Sequence, residues 1–209
     1  MSGPTVRRRI LPALWVLAAL AGCSGSPRVA GDAQAADPAQ FLERLAPYCN
    51  RAFAGRVLHE SPAGAEPEWQ QALVLDLRCQ GSARLIALSV GEDRSRAMQL
   101  GQTVEGVRLN HTRHRPDGRP EALSGFGGLA RAETATADRV EFPADEASRE
   151  LFRRHGAGGA ADSVWALEFM DGQTLVYEVK RPGHHLRLGF DLANPVPAPP
   201  RPWAEAPVL

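Results

Sequence analysis

Residues 163–191, SVWALEFMDGQTLVYEVKRPGHHLRLGFD, decide the fold of this chain. The stretch contains three runs in which apolar and polar side chains alternate, at 163–170, 174–180 and 184–191. A period of two places the apolar side chains of each run on one face of a strand. An Asp-Gly and a Pro-Gly dipeptide separate the runs, and both are typical of tight turns. The stretch therefore predicts an antiparallel meander of three strands.

The two faces of this meander differ in character. One face is apolar and carries Trp165, Leu167, Phe169, Leu175, Tyr177, Val179, Leu186, Leu188 and Phe190. The other face is mostly charged and includes Glu168, Glu178 and Arg187. Such a division is typical of an antiparallel sheet that covers a core on one side and meets water on the other.

The same kind of pattern recurs towards the N-terminus. Short apolar or alternating runs, most of them next to turn residues, occur at 56–59, 72–80, 84–90, 98–103, 107–115, 121–126 and 139–142. Eight to ten such strands predict a mainly β protein, an antiparallel meander that closes to a barrel or a strongly curved sheet, with a β-sandwich as the alternative. Helical spacing of Phe41, Leu42 and Leu45 predicts one N-terminal helix, and a second helix is expected near 144–154.

The composition narrows the class of protein but indicates no reaction and no ligand. The chain has 209 residues, 24 basic and 24 acidic side chains, and 44% apolar residues. These values are ordinary for a globular domain. They argue against a collagen, a coiled coil, a polytopic membrane protein and a polybasic nucleic-acid binder, so no nucleic-acid partner is expected.

The first 23 residues have the layout of an export signal. Three arginines, 7–9, precede an apolar run at 10–20, and Leu20-Ala21-Gly22-Cys23 follows. The run is too short to span a bilayer comfortably and suits the apolar region of a signal peptide. Together these features resemble the lipobox of bacterial lipoproteins. An ordinary cleaved signal with a chance cysteine is the alternative.

The lipoprotein resemblance implies an anchor and a location. It implies cleavage before Cys23, a diacylglycerol on its thiol and an acyl chain such as palmitate on the new amino group. Ser24 at the next position implies transfer to the outer membrane, facing the periplasm. Cleavage would remove three arginines and no acids, which leaves three more acidic than basic side chains. Other segments, such as 91–96 and 197–203, resemble uncharacterised secreted bacterial proteins, and no activity follows from that.

These observations divide the chain into four parts. We expect a signal peptide at 1–22, a flexible tether at 23–39, a β-rich domain at 40–193 and a proline-rich tail at 194–209. In an oxidising envelope, the two remaining cysteines, Cys49 and Cys79, predict a disulfide bond. A metal pair or a reactive thiol is the alternative for these two residues.

The candidate site residues form no catalytic set. His111 and His114 would point to opposite faces of a strand, so they predict no metal site. His111 and Arg113 share a face, and Arg94 and Arg96 lie in a charged segment that is expected to be a loop. These four residues are a candidate binding patch, with solvated surface residues as the alternative. The sequence predicts no catalytic residue, metal or cofactor.

Two functions are compatible with this pattern. The first is a membrane-anchored envelope lipoprotein with a non-catalytic binding or scaffolding β domain, whose partner is a small apolar ligand or an envelope protein. The second is an envelope enzyme whose site is assembled from distant residues: His111, Arg113 and Glu168. The lack of a catalytic motif favours the first.

Overall fold

The computed structural model describes residues 37–64 and 66–204, together with Met1 and Gly3. Apart from Met1 and Gly3, the predicted signal peptide lies outside the described residues, and so do Cys23 and nearly all of the predicted tether. By its internal contacts the chain divides into Met1–Gln34 and Ala35–Leu209. All the elements below belong to the second unit.

Within the described residues the chain forms ten strands and two α-helices. The strands are β1 (Arg51–Ser61), β2 (Leu73–Gln80), β3 (Ala83–Val90), β4 (Asp93–Thr103), β5 (Gly106–Arg113), β6 (Phe126–Leu129), β7 (Arg139–Pro143), β8 (Val164–Met170), β9 (Thr174–Arg181) and β10 (His184–Val196). The helices are α1 (Pro38–Leu45), which a short 3₁₀ turn at Ala46–Tyr48 follows, and α2 (Glu146–Arg154).

All ten strands belong to one antiparallel sheet. Strands β1 to β6 form one meander and β7 to β10 form another, and β1 pairs with β10 to join them. The sheet curls until its two edge strands, β6 and β7, approach each other. The prediction of a mainly β, antiparallel, barrel-like fold with two helices is confirmed, and the three strands predicted at 163–191 are β8, β9 and the first part of β10.

Hydrogen bonds close the gap between the edge strands β6 and β7, which we call the seam. The backbone N–H of Arg131 donates to the carbonyl of Glu141 at 2.8 Å, and that of Asp145 donates to the carbonyl of Gly127 at 3.0 Å. The Ser148 hydroxyl accepts from the Gly127 N–H at 2.8 Å and donates to the Gly127 carbonyl at 3.0 Å. These bonds engage backbone groups that an open sheet edge would leave without partners.

Two consecutive glycines let the seam close. A Cβ on Gly127 would lie 1.9 Å from the Leu109 carbonyl oxygen, and one on Gly128 would lie 1.9 Å from that of Pro143. Only glycine therefore fits between the neighbouring backbones at these positions. The predicted strand at 121–126 is wrong, because the returning strand starts at Phe126 and runs through these glycines.

Helix α1 packs across one end of the barrel. Its N-cap, Asp37, accepts a hydrogen bond from the Ala39 N–H at 2.9 Å. Phe41, Leu42 and Leu45 are buried in the main core cluster, and the Phe41 ring lies 5.0 Å from that of Phe169. The apolar face of the helix thus closes this end of the barrel with apolar side chains.

The C-terminal tail returns to the barrel. Strand β10 continues to Val196, which pairs with Ala52 of β1, so it extends past the predicted domain boundary at 193. Further on, the backbone N–H of Trp203 donates to the carbonyl of Arg94 at 3.3 Å, and Trp203 is partly buried. The described part of the tail is therefore docked at the start of β4.

The disulfide between Cys49 and Cys79 is present, as predicted, with a Cα–Cα distance of 5.5 Å. Cys49 follows the short turn after α1, and Cys79 lies near the end of β2. The bond therefore fixes the helix that closes the barrel to the wall of the barrel.

Replacing both cysteines with serine should lower the free energy of unfolding by roughly 3–4 kcal/mol, because the bond closes a loop of about 30 residues in the unfolded chain. Urea unfolding of the purified protein, compared with the unchanged chain, measures the difference. Equal unfolding midpoints for the two proteins would contradict the expected role of the disulfide.

Candidate functional site

A cavity of about 640 Å³ opens inside the barrel. Trp165 of β8 lines it, four residues before Phe169, which packs against α1. The cavity therefore faces the end of the barrel that α1 does not cover, and we call this open end the mouth. Its walls are mainly aliphatic and aromatic and include Leu88, Met98, Phe126, Phe152, Trp165 and Leu186.

The strand pairing explains how polarity changes along the cavity. Opposite residues of neighbouring antiparallel strands share a face, and alternate residues continue along that face. Three such pairs of β4 and β5 run from the mouth into the core: Arg96 with Arg113, Met98 with His111, and Leu100 with Leu109. The outermost pair is charged, the middle pair is mixed and the innermost pair is apolar.

The imidazole of His111 is the polar centre of the middle layer. Its Nδ1 lies 3.3 Å from the Phe126 carbonyl oxygen and its Nε2 lies 3.0 Å from the Tyr177 hydroxyl. A carbonyl oxygen only accepts, so Nδ1 carries the proton and the Tyr177 hydroxyl donates to Nε2. The ring also stacks on Phe126 at 4.8 Å, with planes 13° apart, and contacts Trp165 at 4.9 Å.

Burial keeps this pair neutral. It lowers the pKa of His111 to about 3, against a smaller opposite effect of the Phe126 carbonyl. Burial also raises the pKa of Tyr177 above its usual range, and the positive charges of Arg96, Arg113 and Arg181 oppose that rise. The hydroxyl and the imidazole are therefore both uncharged at neutral pH, with arginines around them.

The loop between β1 and β2 forms one side of the mouth. The Trp69 indole N–H donates to the Glu66 carboxylate at 2.5 Å. Arg96 donates to the Glu68 carboxylate at 2.6 Å, and its guanidinium lies 5.2 Å from the centre of the Trp69 ring. An ion pair and a cation–π contact thus fasten this loop to β4.

Three of the four residues of the predicted binding patch meet at this site. Arg96, His111 and Arg113 all line the cavity. His111 is buried, so the alternative of a solvated residue at a strand end is wrong for this position.

Arg94 lies elsewhere because β4 contains a bulge. The register against β3 shifts between Leu88, opposite Arg96, and Val90, opposite Asp93, which inserts one extra residue into β4. The segment predicted as a charged loop is therefore mostly strand. The side chain of Arg94 donates to the carbonyl of Arg201 at 3.4 Å and so holds the tail instead.

The predicted enzyme site of His111, Arg113 and Glu168 is not assembled. Glu168 belongs to the charged face of β8, where it accepts from Arg139 at 2.9 Å and from Arg187 at 2.8 Å. That face is opposite to the one that carries Trp165, because 165 and 168 differ by an odd number of residues along the strand. His111 and Arg113 thus lie inside the barrel and Glu168 lies outside it.

Several residues of the site were not singled out by the sequence. Trp165 and Tyr177 lie on the apolar face of the predicted meander, and the sequence does not distinguish a cavity from solid core against that face. Arg181 lies between a predicted strand and a Pro-Gly turn, where an arginine is ordinary, and Trp69 lies in a segment without periodicity. Long-range contacts define all of these positions, and a local pattern carries no signal for such contacts.

The chain matches no protein-family model and no curated protein sequence. Among the described residues, no three His, Cys, Asp or Glu side chains are grouped closely enough to hold a metal ion. In that part of the chain, no helix is long and apolar enough to cross a membrane.

The low pKa of His111 should make stability depend on pH. An unfolded histidine binds a proton below its ordinary pKa of about 6.5, while the folded one stays neutral down to about pH 3, so stability falls as pH falls through that window. Between about pH 7.5 and pH 5 we expect a loss of about 2 kcal/mol from this residue.

His111→Gln is the matched variant, because a glutamine amide can donate to Phe126 and accept from Tyr177 without titrating. Urea unfolding at both pH values should show a loss smaller by about 2 kcal/mol in the variant than in the unchanged protein. The same pH dependence in both proteins would contradict a buried, neutral histidine.

Proposed function

We propose that this protein is a lipid-anchored envelope lipoprotein whose barrel binds a small, mainly apolar ligand without reacting with it. The cavity of about 640 Å³ is the observation that carries this proposal. Its volume falls within the range of about 300–1,000 Å³ that is usual for small-molecule sites.

The lining supports an apolar ligand. Aromatic rings of Phe126, Phe152 and Trp165 surround one side, with ring centres 5.2–6.5 Å apart. Each 100 Å² of apolar ligand surface removed from water contributes roughly 2.5 kcal/mol before the costs of association. Helix α1 closes the far end, so a ligand that enters at the mouth is enclosed rather than passed through.

The polar groups inside the cavity fit binding better than catalysis. Both ring nitrogens of His111 have hydrogen-bond partners, and the proton of Tyr177 is directed at His111. A general acid or base works best with a pKa near the ambient pH. Burial lowers the pKa of His111 to about 3 and raises that of Tyr177, so the imidazole is a weak base and the hydroxyl a weak acid at neutral pH. The separation of Glu168 from His111 and Arg113 also supports binding over the alternative of an enzyme built from these three residues.

The anchor rests on the sequence alone. The order of basic residues, apolar run and Leu-Ala-Gly-Cys supports lipidation of Cys23 and location at the outer membrane, facing the periplasm. Two or three acyl chains give a stable anchor, whereas one gives only marginal membrane binding. The protein would then present its barrel to ligands of the envelope.

Filling the cavity should weaken ligand binding. Leu123 lines the cavity and is partly buried, so Leu123→Trp replaces a small aliphatic side chain there with a large indole ring. We expect the affinity for Nile red, an uncharged dye whose fluorescence rises in apolar surroundings, to fall about tenfold or more. Fluorescence titration of the purified protein measures this.

Val104→Trp is the matched control, because Val104 is fully exposed between β4 and β5. It adds the same ring outside the cavity and should leave the affinity unchanged. Equal dye binding by both variants and the unchanged protein, with normal circular dichroism, would show that the cavity is not the binding site.

Changing the proposed lipidation site should leave an unprocessed precursor. Cys23→Ser removes the thiol that would receive the lipid, and the protein should then keep residues 1–22. Mass spectrometry of the membrane fraction from a bacterial host distinguishes precursor from processed protein. Normal processing of this variant, with normal partitioning into the membrane, would exclude the lipobox.

A further inference from the structure

Charge is distributed unevenly at the mouth of the cavity. Three arginines line the cavity (Arg96, Arg113 and Arg181), against two carboxylates, Glu66 and Glu68. The apolar residues lie deeper. A molecule with one charged end and one apolar end therefore fits the cavity in a single orientation.

The carboxylates of the mouth are already engaged. Glu66 accepts from the Trp69 indole at 2.5 Å, and Glu68 accepts from Arg96 at 2.6 Å. Arg96 is engaged in turn, since it also pairs with Asp93. A cationic ligand would have to displace one of these contacts.

Two arginines keep hydrogen-bonding capacity. Arg113 lies 3.2 Å from the Glu121 carboxylate, and Arg181 lies 3.9 Å from that of Glu66. Among the described residues, neither guanidinium donates a hydrogen bond; the buried Nε of Arg113 makes the contact with Glu121 as an ion pair only. Each guanidinium has five N–H donors that match the oxygens of a carboxylate or phosphate.

The deeper polar pair does not compete for an anion. Tyr177 directs its proton at His111, so its oxygen offers only lone pairs to a ligand. His111 is neutral and its N–H donates to Phe126. An anionic group is therefore stabilised at the mouth and disfavoured below it.

On the basis of the function proposed above, we infer that the ligand is an anionic amphiphile with a single apolar chain. Its carboxylate or phosphate head lies at the mouth, where Arg113 and Arg181 donate to it. Its chain lies in the cavity among Met98, Phe126 and Trp165. A fatty acid and a lysophospholipid share this chemistry.

Four ligands of equal chain length test the inference: decanoate, decyl phosphate, decanol and decyltrimethylammonium. Titration calorimetry on the purified full chain, with tryptophan fluorescence as a second readout, gives the affinities. Decanoate or decyl phosphate should bind about tenfold more tightly than decanol, since a charge-assisted hydrogen bond is added to the same apolar burial. The tighter of the two anions identifies the head group.

The double variant Arg113→Gln with Arg181→Gln should lower the affinity for the anions to that for decanol and leave decanol binding unchanged. Arg119→Gln is the control, because Arg119 is an exposed arginine beyond the end of β5, paired only loosely with Asp117 at 3.7 Å. It should change no affinity.

The outcomes separate this inference from the proposed function. Equal binding of decanol and the anions, or tighter binding of decyltrimethylammonium, overturns the anionic head group but leaves an apolar binding cavity. Unchanged anion affinity in the double variant overturns the role of the two arginines. Binding of none of the four ligands, together with no Nile red binding, overturns the proposed function itself.

Discussion

The pairing of the first strand with the last is the constraint on which the structure depends. Strands β1–β6 and β7–β10 would form two separate sheets without it, each with long exposed edges. The two strands are among the longest in the chain, 11 and 13 residues, and their paired backbones run from Ala52 opposite Val196 to Ser61 opposite His185. Because this pairing joins the meanders, only the short seam between β6 and β7 remains for side chains and loops to seal.

The candidate site exists because the meanders are joined. His111 and Arg113 come from the first meander, and Tyr177 and Arg181 come from the second. The hydrogen bond between His111 and Tyr177 spans 66 residues of sequence and crosses the interior of the barrel. The same closure turns apolar faces, which a flat sheet would bury against another layer, into the walls of a cavity.

The sequence predicted the strands well where side chains alternate and poorly where they do not. The runs that became β2, β8, β9 and the first part of β10 carry a clear period of two. The ends of β2, β8 and β9 lie within one residue of the predicted ends, whereas β10 continues five residues past its predicted end at 191. Strand β6 was misplaced because Gly127 and Gly128 have no side chains to alternate. The bulge in β4 was not predicted either. Its extra residue reverses the face to which Arg94 points, and the charge pattern of the segment does not reveal such an insertion. The cavity could not be predicted, since an inward apolar face looks the same in sequence whether it meets solid core or open space.

The polar pair inside the barrel is not explained by stability. Burying an imidazole and a phenol hydroxyl removes both from water, and their hydrogen bonds only offset that loss. Apolar side chains of similar size at 111 and 177 would fill the same space without this cost and without a dependence on pH. The pair does, however, leave an acceptor oxygen in an otherwise apolar wall, one layer below the arginines of the mouth. A cavity whose polarity falls in steps from charged to neutral polar to apolar orients an amphiphile along its axis. A uniformly apolar cavity would hold the same chain in either direction, so this gradient is the structural feature on which the proposed directed binding depends.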